Sequence, residues 1–391
     1  MYRPAISVLF FLVMASGCSQ EPGLATSQKE LAELFTAGHT VGETGSDENW
    51  TTVTSARDFQ FPADHAAHKD YRIEWWYYTG NLETEDGRRF GYQLTFFRTG
   101  LHKELTNPSR WAVRDLYTAH FGLSDIRNKK HYCFQRNSRG GIGQAGANTD
   151  RYEVWNGDWK VALSGHDHRL RAEDSDVAID LELTPTKPLV LHGNDGVSRK
   201  GPSTGNASYY YSFTRMSTQG TIRIGGQSFT IRGSSWMDHE FSSSFLEPGQ
   251  LGWDWMAIQL DSGADLMLYR MRREDGTTDP FSSASFVDGS GEVQHLSVTD
   301  YTMKPIDSWK SKQTSAVYPL RWRVEIPSLG YQLDIRPAFD QQEMTTNDTT
   351  GISYWEGAID VLGSSADGKV AGRGYMELTG YAGQGLGSVL K

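Results

Sequence analysis

Two carboxylic acids flank an imidazole in the segment Trp236-Met-Asp238-His239-Glu240. Burial of Asp238 beside the indole of Trp236 would raise the pKa of its carboxyl group and leave it protonated near neutral pH. A buried carboxylic acid of this kind can donate a proton to a ligand, and His239 or Glu240 would then orient a water molecule. The segment therefore predicts a candidate acid catalyst at Asp238, with His239 and Glu240 as its partners.

Aromatic residues surround other acidic groups along the chain. Glu74 directly precedes the aromatic run Trp75-Trp76-Tyr77-Tyr78, and the pair Trp253 and Trp255 follows the Asp238 segment. Indole and phenol faces attract positive charge, so they would stabilise a carbocation, and they equally suit a hydrophobic ligand. The candidate ligand-binding residues are Glu74, Trp75, Tyr77, Trp236, Trp253 and Trp255.

A purely structural role for the same acidic residues remains open. Asp238 and Glu240 would then cap turns, and Glu74 would pair with Arg98 on the wall of a β-barrel. A catalyst needs Asp238 beside a cavity, whereas a protein that only carries a ligand can hold it in a surface turn.

Several common catalytic motifs are absent from the sequence. It contains no G-x-S-x-G, H-E-x-x-H or C-x-x-C pattern, and we predict neither a metal nor a cofactor. His166 and His168 are typical of a polar hairpin tip rather than of a metal-binding pair. The formal net charge is -10 and no stretch is basic, which argues against nucleic acid as a partner.

The elements that must position these residues are β-strands. The 391 residues include Trp 12, Tyr 18, Phe 17 and Gly 41, a composition that favours pleated strands joined by tight turns. Apolar and polar residues alternate from Phe90 to Arg98, directly after a turn signal at 83–87, which predicts a hairpin with the Trp75 strand. We therefore predict an all-β fold.

Two hairpins along the chain share one pattern. Trp75-x-Tyr77 and Trp253-x-Trp255 are each followed by a turn and then by an apolar strand that ends in Arg98 or Arg270. The repeat indicates two related β-domains, although the pattern is common enough in β-proteins to arise by chance. We predict an N-terminal domain over 58–235 and a C-terminal domain over 236–391.

The N-terminus has the pattern of a lipoprotein signal. Residues 1–17 combine Arg3, an apolar run and the small residues that directly precede Cys18. This pattern resembles the lipobox of bacterial lipoproteins, although an ordinary signal peptide followed by an incidental Cys remains open. We expect lipidation at Cys18, a disordered tether over 18–57, and attachment to the outer membrane facing the periplasm.

The motifs together resemble the carotenoid 1,2-hydratase / AttH-like family, and most closely its lipoprotein branch. The resemblance rests on Glu74–Gly80, Trp236–Phe241, Trp253-x-Trp255, Tyr354–Gly357 and Gly374–Tyr381. It implies two lipocalin-like antiparallel β-barrel domains in tandem. It also implies addition of water to a terminal isoprenoid double bond without a cofactor, with Asp238 at the position of the proton donor. For the lipoprotein branch the resemblance implies no substrate.

Three functions are therefore compatible with the sequence. The first is a hydro-lyase that acts on a hydrophobic isoprenoid or lipid, and the second is a carrier of such a ligand that performs no chemistry. The third is a scaffold for an envelope complex, which needs no sizeable cavity.

Overall fold

The computed structural model describes residues 50–109, 111–244 and 246–383, and antiparallel strands dominate these ranges. The predicted signal peptide, Cys18 and the tether before residue 50 lie outside the described residues. Two single turns of 3-10 helix occur, at Ala63–His65 and Pro327–Leu329. None of the helical segments described is long and apolar enough to cross a membrane.

The first sheet curls until its two outer regions approach each other. Its strands are β1 (Ile73–Glu83), β2 (Arg89–Gly100), β3 (Asp115–Asp125), β4 (Lys130–Arg139), β5 (Ala145–Ala147), β6 (Glu153–Asn156), β7 (Trp159–Ser164), β8 (Asp167–Asp174), β9 (Val177–Pro185), β10 (Val190–Leu191), β11 (Val197–Arg199), β12 (Ala207–Ile224) and β13 (Gln227–Ser242). The main order is β4-β3-β2-β1-β13-β12-β9-β8-β7-β6-β5. Ser138 of β4 donates a hydrogen bond of 2.8 Å to Asn156 of β6, so the sheet is a nearly closed barrel. Its interior holds fully buried aromatic residues such as Trp76, Phe121 and Trp159.

The second sheet follows the first along the chain. Its strands are β14 (Gln250–Leu260), β15 (Asp265–Arg273), β16 (Ser283–Val287), β17 (Val293–Ser297), β18 (Thr302–Lys310), β19 (Val317–Ile326), β20 (Tyr331–Pro337), β21 (Glu343–Thr346), β22 (Ile352–Ser365) and β23 (Gly368–Leu378). The main order is β17-β16-β15-β14-β23-β22-β20-β19-β18, with β21 paired to β22. Its own core contains the buried Trp322 and Trp355.

The all-β prediction of two antiparallel domains in tandem is confirmed. The Trp75 hairpin is β1 paired with β2, and the Trp253 hairpin is β14 paired with β15. The alternation of residue types predicted the first hairpin because its apolar residues, such as Phe90 and Leu94, pack together into the core of the first sheet. Gly165 and His166 form the predicted hairpin tip between β7 and β8, whereas His168 lies within β8 and is buried.

The boundary between the sheets lies later than residue 235. Strand β13 pairs with β1 as far as Ser242, and the second sheet begins at Gln250. The Asp238 segment therefore belongs to the first sheet rather than to the start of the second domain.

Residues 50–57 pack against the first sheet, although the sequence placed them in the tether. Val53 is 1% exposed and lies in a cluster with Tyr71, Tyr209 and Phe241. The main chain takes part as well, because the Tyr209 hydroxyl donates to the Ser55 carbonyl over 2.8 Å. Three scattered apolar residues, Trp50, Val53 and Ala56, in an otherwise polar stretch were too weak a signal to predict this contact.

Val53→Asp should lower the free energy of unfolding by at least about 2 kcal/mol, because it forces a carboxyl group into an apolar cluster. Thr54→Asp is the matched control, since Thr54 is exposed and the substitution should change stability by less than about 0.5 kcal/mol. Denaturant titration of both variants measures the difference. Equal stabilities would mean that residues 50–57 do not belong to the folded body.

Candidate functional site

A cleft between the two sheets holds the predicted site. Its cavity has a volume of about 240 Å³ and is lined by residues from both sheets. Tyr77, Tyr210 and Trp236 of the first sheet pack there against Trp255 and Met271 of the second. The walls are therefore mostly apolar and aromatic, as in typical ligand sites.

The pleat of β13 decides which predicted residues reach this cleft. Asp238 is paired with Tyr77 of β1, and Glu240 is paired with Trp75. Since successive side chains of a strand point to opposite faces, Trp236, Asp238 and Glu240 share the face toward the cleft. All three are less than 5% exposed.

Asp238 is a buried acid held by three neutral donors. Its carboxyl group accepts hydrogen bonds from the Tyr210 hydroxyl at 2.7 Å, the Trp236 indole at 2.6 Å, and the Ser212 hydroxyl. Burial raises the pKa of Asp238 from its ordinary 3.8 to about 7, although the three hydrogen bonds act in the opposite direction and Glu240 adds to the rise. The carboxyl group can therefore hold or release a proton near neutral pH.

Glu240 is paired with a cation instead. The ammonium nitrogen of Lys200 lies 3.0 Å from its Oε1, and Ser208 donates to the same oxygen. Burial opposes the charge on Lys200, but the Glu240 carboxylate outweighs it and raises the pKa of Lys200. The pair places fixed polar groups at one part of an otherwise apolar cleft.

The second sheet contributes two further acids that the sequence analysis did not select. Glu356 of β22 is paired with Glu377 of β23, which is in turn paired with Trp255 of β14. Burial, reinforced by Glu377, raises the pKa of Glu356 well above its usual range, and burial raises the pKa of Glu377 to about 7. Both lie within segments that carried the family resemblance, which was the available signal.

Two hydrogen bonds cross the cleft and set the acids opposite each other. The Tyr77 hydroxyl donates to Oε1 of Glu356 over 2.7 Å, and the Trp255 indole donates to the Tyr210 hydroxyl over 3.2 Å. The other oxygen of Glu356, Oε2, is buried without a hydrogen-bond partner among the described residues. A polar group of a ligand would find an open partner there.

The predicted aromatic residues meet at the cleft. Trp75, Trp253 and Trp255 all line the cavity, and the ring of Trp255 lies edge-on to Tyr77 with centroids 5.3 Å apart. Trp75 and Trp253 are half-buried, so their faces remain available to a ligand. Trp236 packs within the same cluster and bonds to Asp238 through its indole.

His239 does not join Asp238, contrary to the expectation that it would orient a water molecule there. It is fully buried on the opposite face of β13, where it stacks on Trp76 with ring centroids 5.0 Å apart. Burial lowers the pKa of His239 to about 4. Of the three predicted catalytic residues, only Asp238 and Glu240 therefore lie in the cleft.

Glu74 lines the edge of the cavity, but its carboxylate belongs to a buried charge network. Arg98 donates to it over 3.1 Å, as in the structural alternative drawn from the sequence, and His239 and the ring of His68 each donate over 2.9 Å. Burial would raise the pKa of Glu74, but the two His partners and the charge on Arg98 hold it well below its usual range. Glu74 is therefore an ionised structural residue with little capacity to act as an acid.

His68, Glu74 and His239 are also close enough to bind a metal ion, with donor atoms within 4.8 Å of one another. Each Glu74 oxygen already accepts hydrogen bonds from protein groups, and Arg98 places a positive charge beside the carboxylate. His68 in addition bonds to Asp64 over 2.9 Å. The cluster is complete as a hydrogen-bonded network, and we interpret it as one rather than as a set of metal ligands.

The chain is similar to several known proteins. A model of the family described as AttH-like matches residues 52–381. The crystal structure of a protein assigned to AttH from Nitrosomonas europaea has a TM-score of 0.78 and 38% identity, and the match covers 85% of this chain and 100% of that one. These matches extend over both sheets and the cleft between them.

Two more distant similarities are to proteins whose names indicate chemistry. Dehydratase asqC from Emericella nidulans is 22% identical over 275 residues, which is 68% of this chain and 77% of the dehydratase. Kievitone hydratase from Nectria haematococca has a TM-score of 0.64 at 14% identity, over 86% of this chain and 95% of the hydratase. The second similarity establishes a common fold alone.

Glu74→Gln should lower the free energy of unfolding at pH 7 by about 3–5 kcal/mol, because it leaves Arg98 buried without its full charge partner. The folded-state pKa of Glu74 lies below its ordinary 4.5, so its contribution is present above that pH and is lost as the pH falls. The stability gap between the variant and the wild type should therefore narrow below pH 4.5. Chemical denaturation across this pH range measures it.

The matched control is Glu173→Gln. Glu173 forms its ion pair with Arg223 at the surface, where the two side chains are 42% and 36% exposed. Its loss should change stability by less than about 1 kcal/mol. A Glu74→Gln protein as stable as this control would contradict the assignment of Glu74 to a buried network.

Proposed function

This chain belongs to the AttH-like family, and on that premise we propose that it adds water to a carbon–carbon double bond of a hydrophobic isoprenoid or lipid, or forms such a bond by removing water from an alcohol. The observation that carries the proposal is Asp238, a buried acid whose pKa is raised to about 7 inside an aromatic cavity. The names of two relatives, a dehydratase and a hydratase, agree with this class of reaction.

Protonation of an alkene is the difficult step, and Asp238 supplies the proton. An ordinary carboxyl group would be ionised at neutral pH, whereas Asp238 remains partly protonated because burial disfavours its charge. Transfer of that proton to one alkene carbon forms a C–H bond and leaves a carbocation on the other carbon. The carbocation needs protection from nonspecific reaction until water reaches it.

The aromatic walls stabilise that cation. Trp75, Tyr77 and Trp255 line the cavity and surround the region in front of Asp238 with electron-rich rings. The attraction between a cation and such a ring amounts to about 2 kcal/mol or more when both are shielded from water. The same rings fit the apolar body of the ligand.

Water attack requires a base, and Glu377 suits that role. The pKa of Glu377 is also raised by burial to about 7, so a fraction of the molecules carries Glu377 ionised while Asp238 is protonated. The water oxygen bonds to the cationic carbon, and its released proton passes to Glu377. Glu356 and the Glu240–Lys200 pair supply the polar contacts that orient the water.

The size of the cavity limits the part of the ligand that it encloses. A volume of about 240 Å³ lies below the range of roughly 300–1,000 Å³ typical for drug-sized ligands. The cleft therefore encloses one end of an isoprenoid or acyl chain, and the rest extends out of the cavity. This agrees with a reaction at a terminal double bond.

A carrier of hydrophobic ligands is the second candidate. The mostly apolar lining of the cleft supports binding without any chemistry. A scaffold that lacks a cavity receives no support from this structure. Mass spectrometry of lipids that copurify with the full chain would identify the natural ligand in either case.

We also propose that the protein is a lipoprotein, lipidated at Cys18 and held at the outer membrane facing the periplasm. The support comes from the apolar run and small residues before Cys18. A membrane anchor would keep the cleft close to a source of hydrophobic ligands.

Asp238→Asn should strongly slow turnover while ligand binding is retained. The assay uses farnesol as the probe in water enriched in oxygen-18, and mass spectrometry detects a hydrated product that carries the label. We expect the wild type to form this product and the variant to be slower by at least about 100-fold, because the side chain keeps its shape but loses the acidic proton. Calorimetry with farnesol measures binding.

Asp150→Asn is the control for this assay, since Asp150 lies in an exposed turn with 76% of its side chain exposed. Its rate should equal that of the wild type. An Asp238→Asn rate equal to this control would contradict acid catalysis. Binding of farnesol without conversion by the wild type would instead favour the carrier.

Cys18→Ser should prevent lipidation, so the expressed protein should no longer partition into detergent. Cys133→Ser is the control and should partition like the wild type, because Cys133 lies in strand β4. Detergent phase separation of cell lysates measures both variants. Normal processing and membrane retention of Cys18→Ser would indicate an ordinary signal peptide.

A further inference from the structure

A chain of hydrogen bonds links Asp238 to the protein surface without crossing the cavity. Ser212 donates to Oδ1 of Asp238, and the Ser212 hydroxyl contacts Nε2 of His192 at 2.7 Å. On the other side of its ring, Nδ1 of His192 lies 2.9 Å from the Ser285 hydroxyl. Ser285 in turn lies 3.2 Å from Nδ1 of His295, which is exposed.

The donors along this chain all point in one direction. Because the hydrogen of Ser212 lies toward Asp238, Nε2 of His192 must donate to the Ser212 oxygen, and its Nδ1 must then accept. Ser285 supplies the hydrogen for Nδ1, and its own oxygen accepts from His295. Each group gives one hydrogen and takes one, which is the arrangement that a stepwise proton transfer needs.

The other two partners of Asp238 cannot pass a proton onward. The indole N–H of Trp236 can donate a hydrogen bond but cannot accept one, so it cannot take up a proton from a further group. The Tyr210 hydroxyl gives its hydrogen to Asp238, and its other described partner is the indole of Trp255, which ends that route in the same way. Ser212 is therefore the one described partner of Asp238 that leads to the surface.

We propose that Asp238 exchanges its proton with solvent through Ser212, His192, Ser285 and His295, which makes these four residues a proton relay for the acid. The purpose of such a relay rests on the proposed function. A hydrophobic ligand that fills the cleft would displace the cavity water, and the acid must still recover or release a proton in each cycle.

One proton enters the relay from solvent at His295 and one proton reaches Asp238, so the number of protons is balanced. His295 takes a proton from solvent at Nε2 and gives its Nδ1 proton to Ser285. Ser285 passes its own to Nδ1 of His192, whose Nε2 proton moves to Ser212, and the proton of Ser212 moves to Oδ1 of Asp238. All four hydrogen bonds reverse, and the same path in reverse carries a proton out for dehydration.

The charges around the relay agree with this role. Burial, with smaller effects of His295 and Lys200, holds the pKa of His192 well below its usual range, so the ring remains neutral between its two serines. Partial burial lowers the pKa of His295, and Asp195 counteracts this shift.

Asp238 itself faces further charged and titratable groups. Glu240 raises the pKa of Asp238, and the nearby Lys200 and Glu377 interact with it electrostatically. The titration midpoint of Asp238 therefore reflects these neighbours as well as burial. The rate at which Asp238 gains its proton depends instead on the route by which the proton arrives.

The test follows the protonation of Asp238 in the full chain, without any ligand. Infrared spectroscopy after a rapid drop in pH records the carbonyl band of the protonated carboxyl group, which is identified by its absence in Asp238→Asn. His192→Gln can still hydrogen-bond to the serines, but it has no ring that takes up a proton on one side and releases one on the other. Protonation of Asp238 should be slower by at least about tenfold in this variant, with an unchanged equilibrium midpoint.

His131→Gln is the matched control. His131 also contacts a serine of the first sheet, Ser124, at 2.9 Å and reaches Met344 of the second sheet, but it has no bond to the relay. If His192 only held the sheets together, the two variants would affect the protonation rate alike. A second variant, Ser285→Ala, should slow the protonation of Asp238 as His192→Gln does. It tests the relay if His192→Gln does not fold.

A wild-type protonation rate in a folded His192→Gln or Ser285→Ala protein would overturn the relay and indicate entry through the cavity. That result would leave acid catalysis by Asp238 intact. Conversely, inactivity of the wild type toward farnesol would leave the relay measurable, because the infrared test uses protons alone.

Discussion

The two-residue period of strand β13 is the constraint on which the rest of the site depends. It sends Asp238 to the cleft between the sheets and His239 into the barrel, although the two are adjacent in sequence. The barrel interior and the cleft then shift the pKa of a buried carboxyl group in opposite directions. Inside the barrel, Glu74 is surrounded by charged and hydrogen-bonding partners and stays ionised, whereas Asp238 accepts hydrogen bonds from neutral donors alone and stays partly protonated.

The contact between the two sheets completes the site because it excludes water from the carboxyl groups of Asp238 and Glu356. Trp255 covers the Tyr210–Asp238 pair, and Tyr77 reaches across to Glu356, so that each sheet buries carboxyl groups of the other. The free energy needed to desolvate these groups comes from folding, and it appears as raised pKa values. The cleft between the two sheets therefore holds carboxyl groups whose pKa values lie near neutral pH.

The sequence could predict the strands but only part of the site. Alternation around Phe90–Arg98 revealed the first hairpin because the apolar Phe90, Leu94 and Phe96 pack into the barrel core, while the polar Gln93 and Thr95 between them line the cleft. Glu356 was overlooked because its meeting with Tyr77 depends on a contact across 279 positions, which periodicity does not report. His239 was assigned to the catalytic group because sequence adjacency suggests proximity, whereas the pleat of a strand separates neighbours. The alternative pairing of Glu74 with Arg98 was correct, since these residues face each other on paired strands.

The equilibrium pKa of Asp238 tests the account most directly. A carbon-13 titration of the full chain labelled at the aspartate carboxyl groups, with the resonance of Asp238 assigned through Asp238→Asn, gives this value. The burial of the carboxyl group among neutral donors predicts a midpoint of about 7. A midpoint near the ordinary value of 3.8 would mean that water reaches the carboxyl group freely, and it would contradict the role of Asp238 as a proton donor.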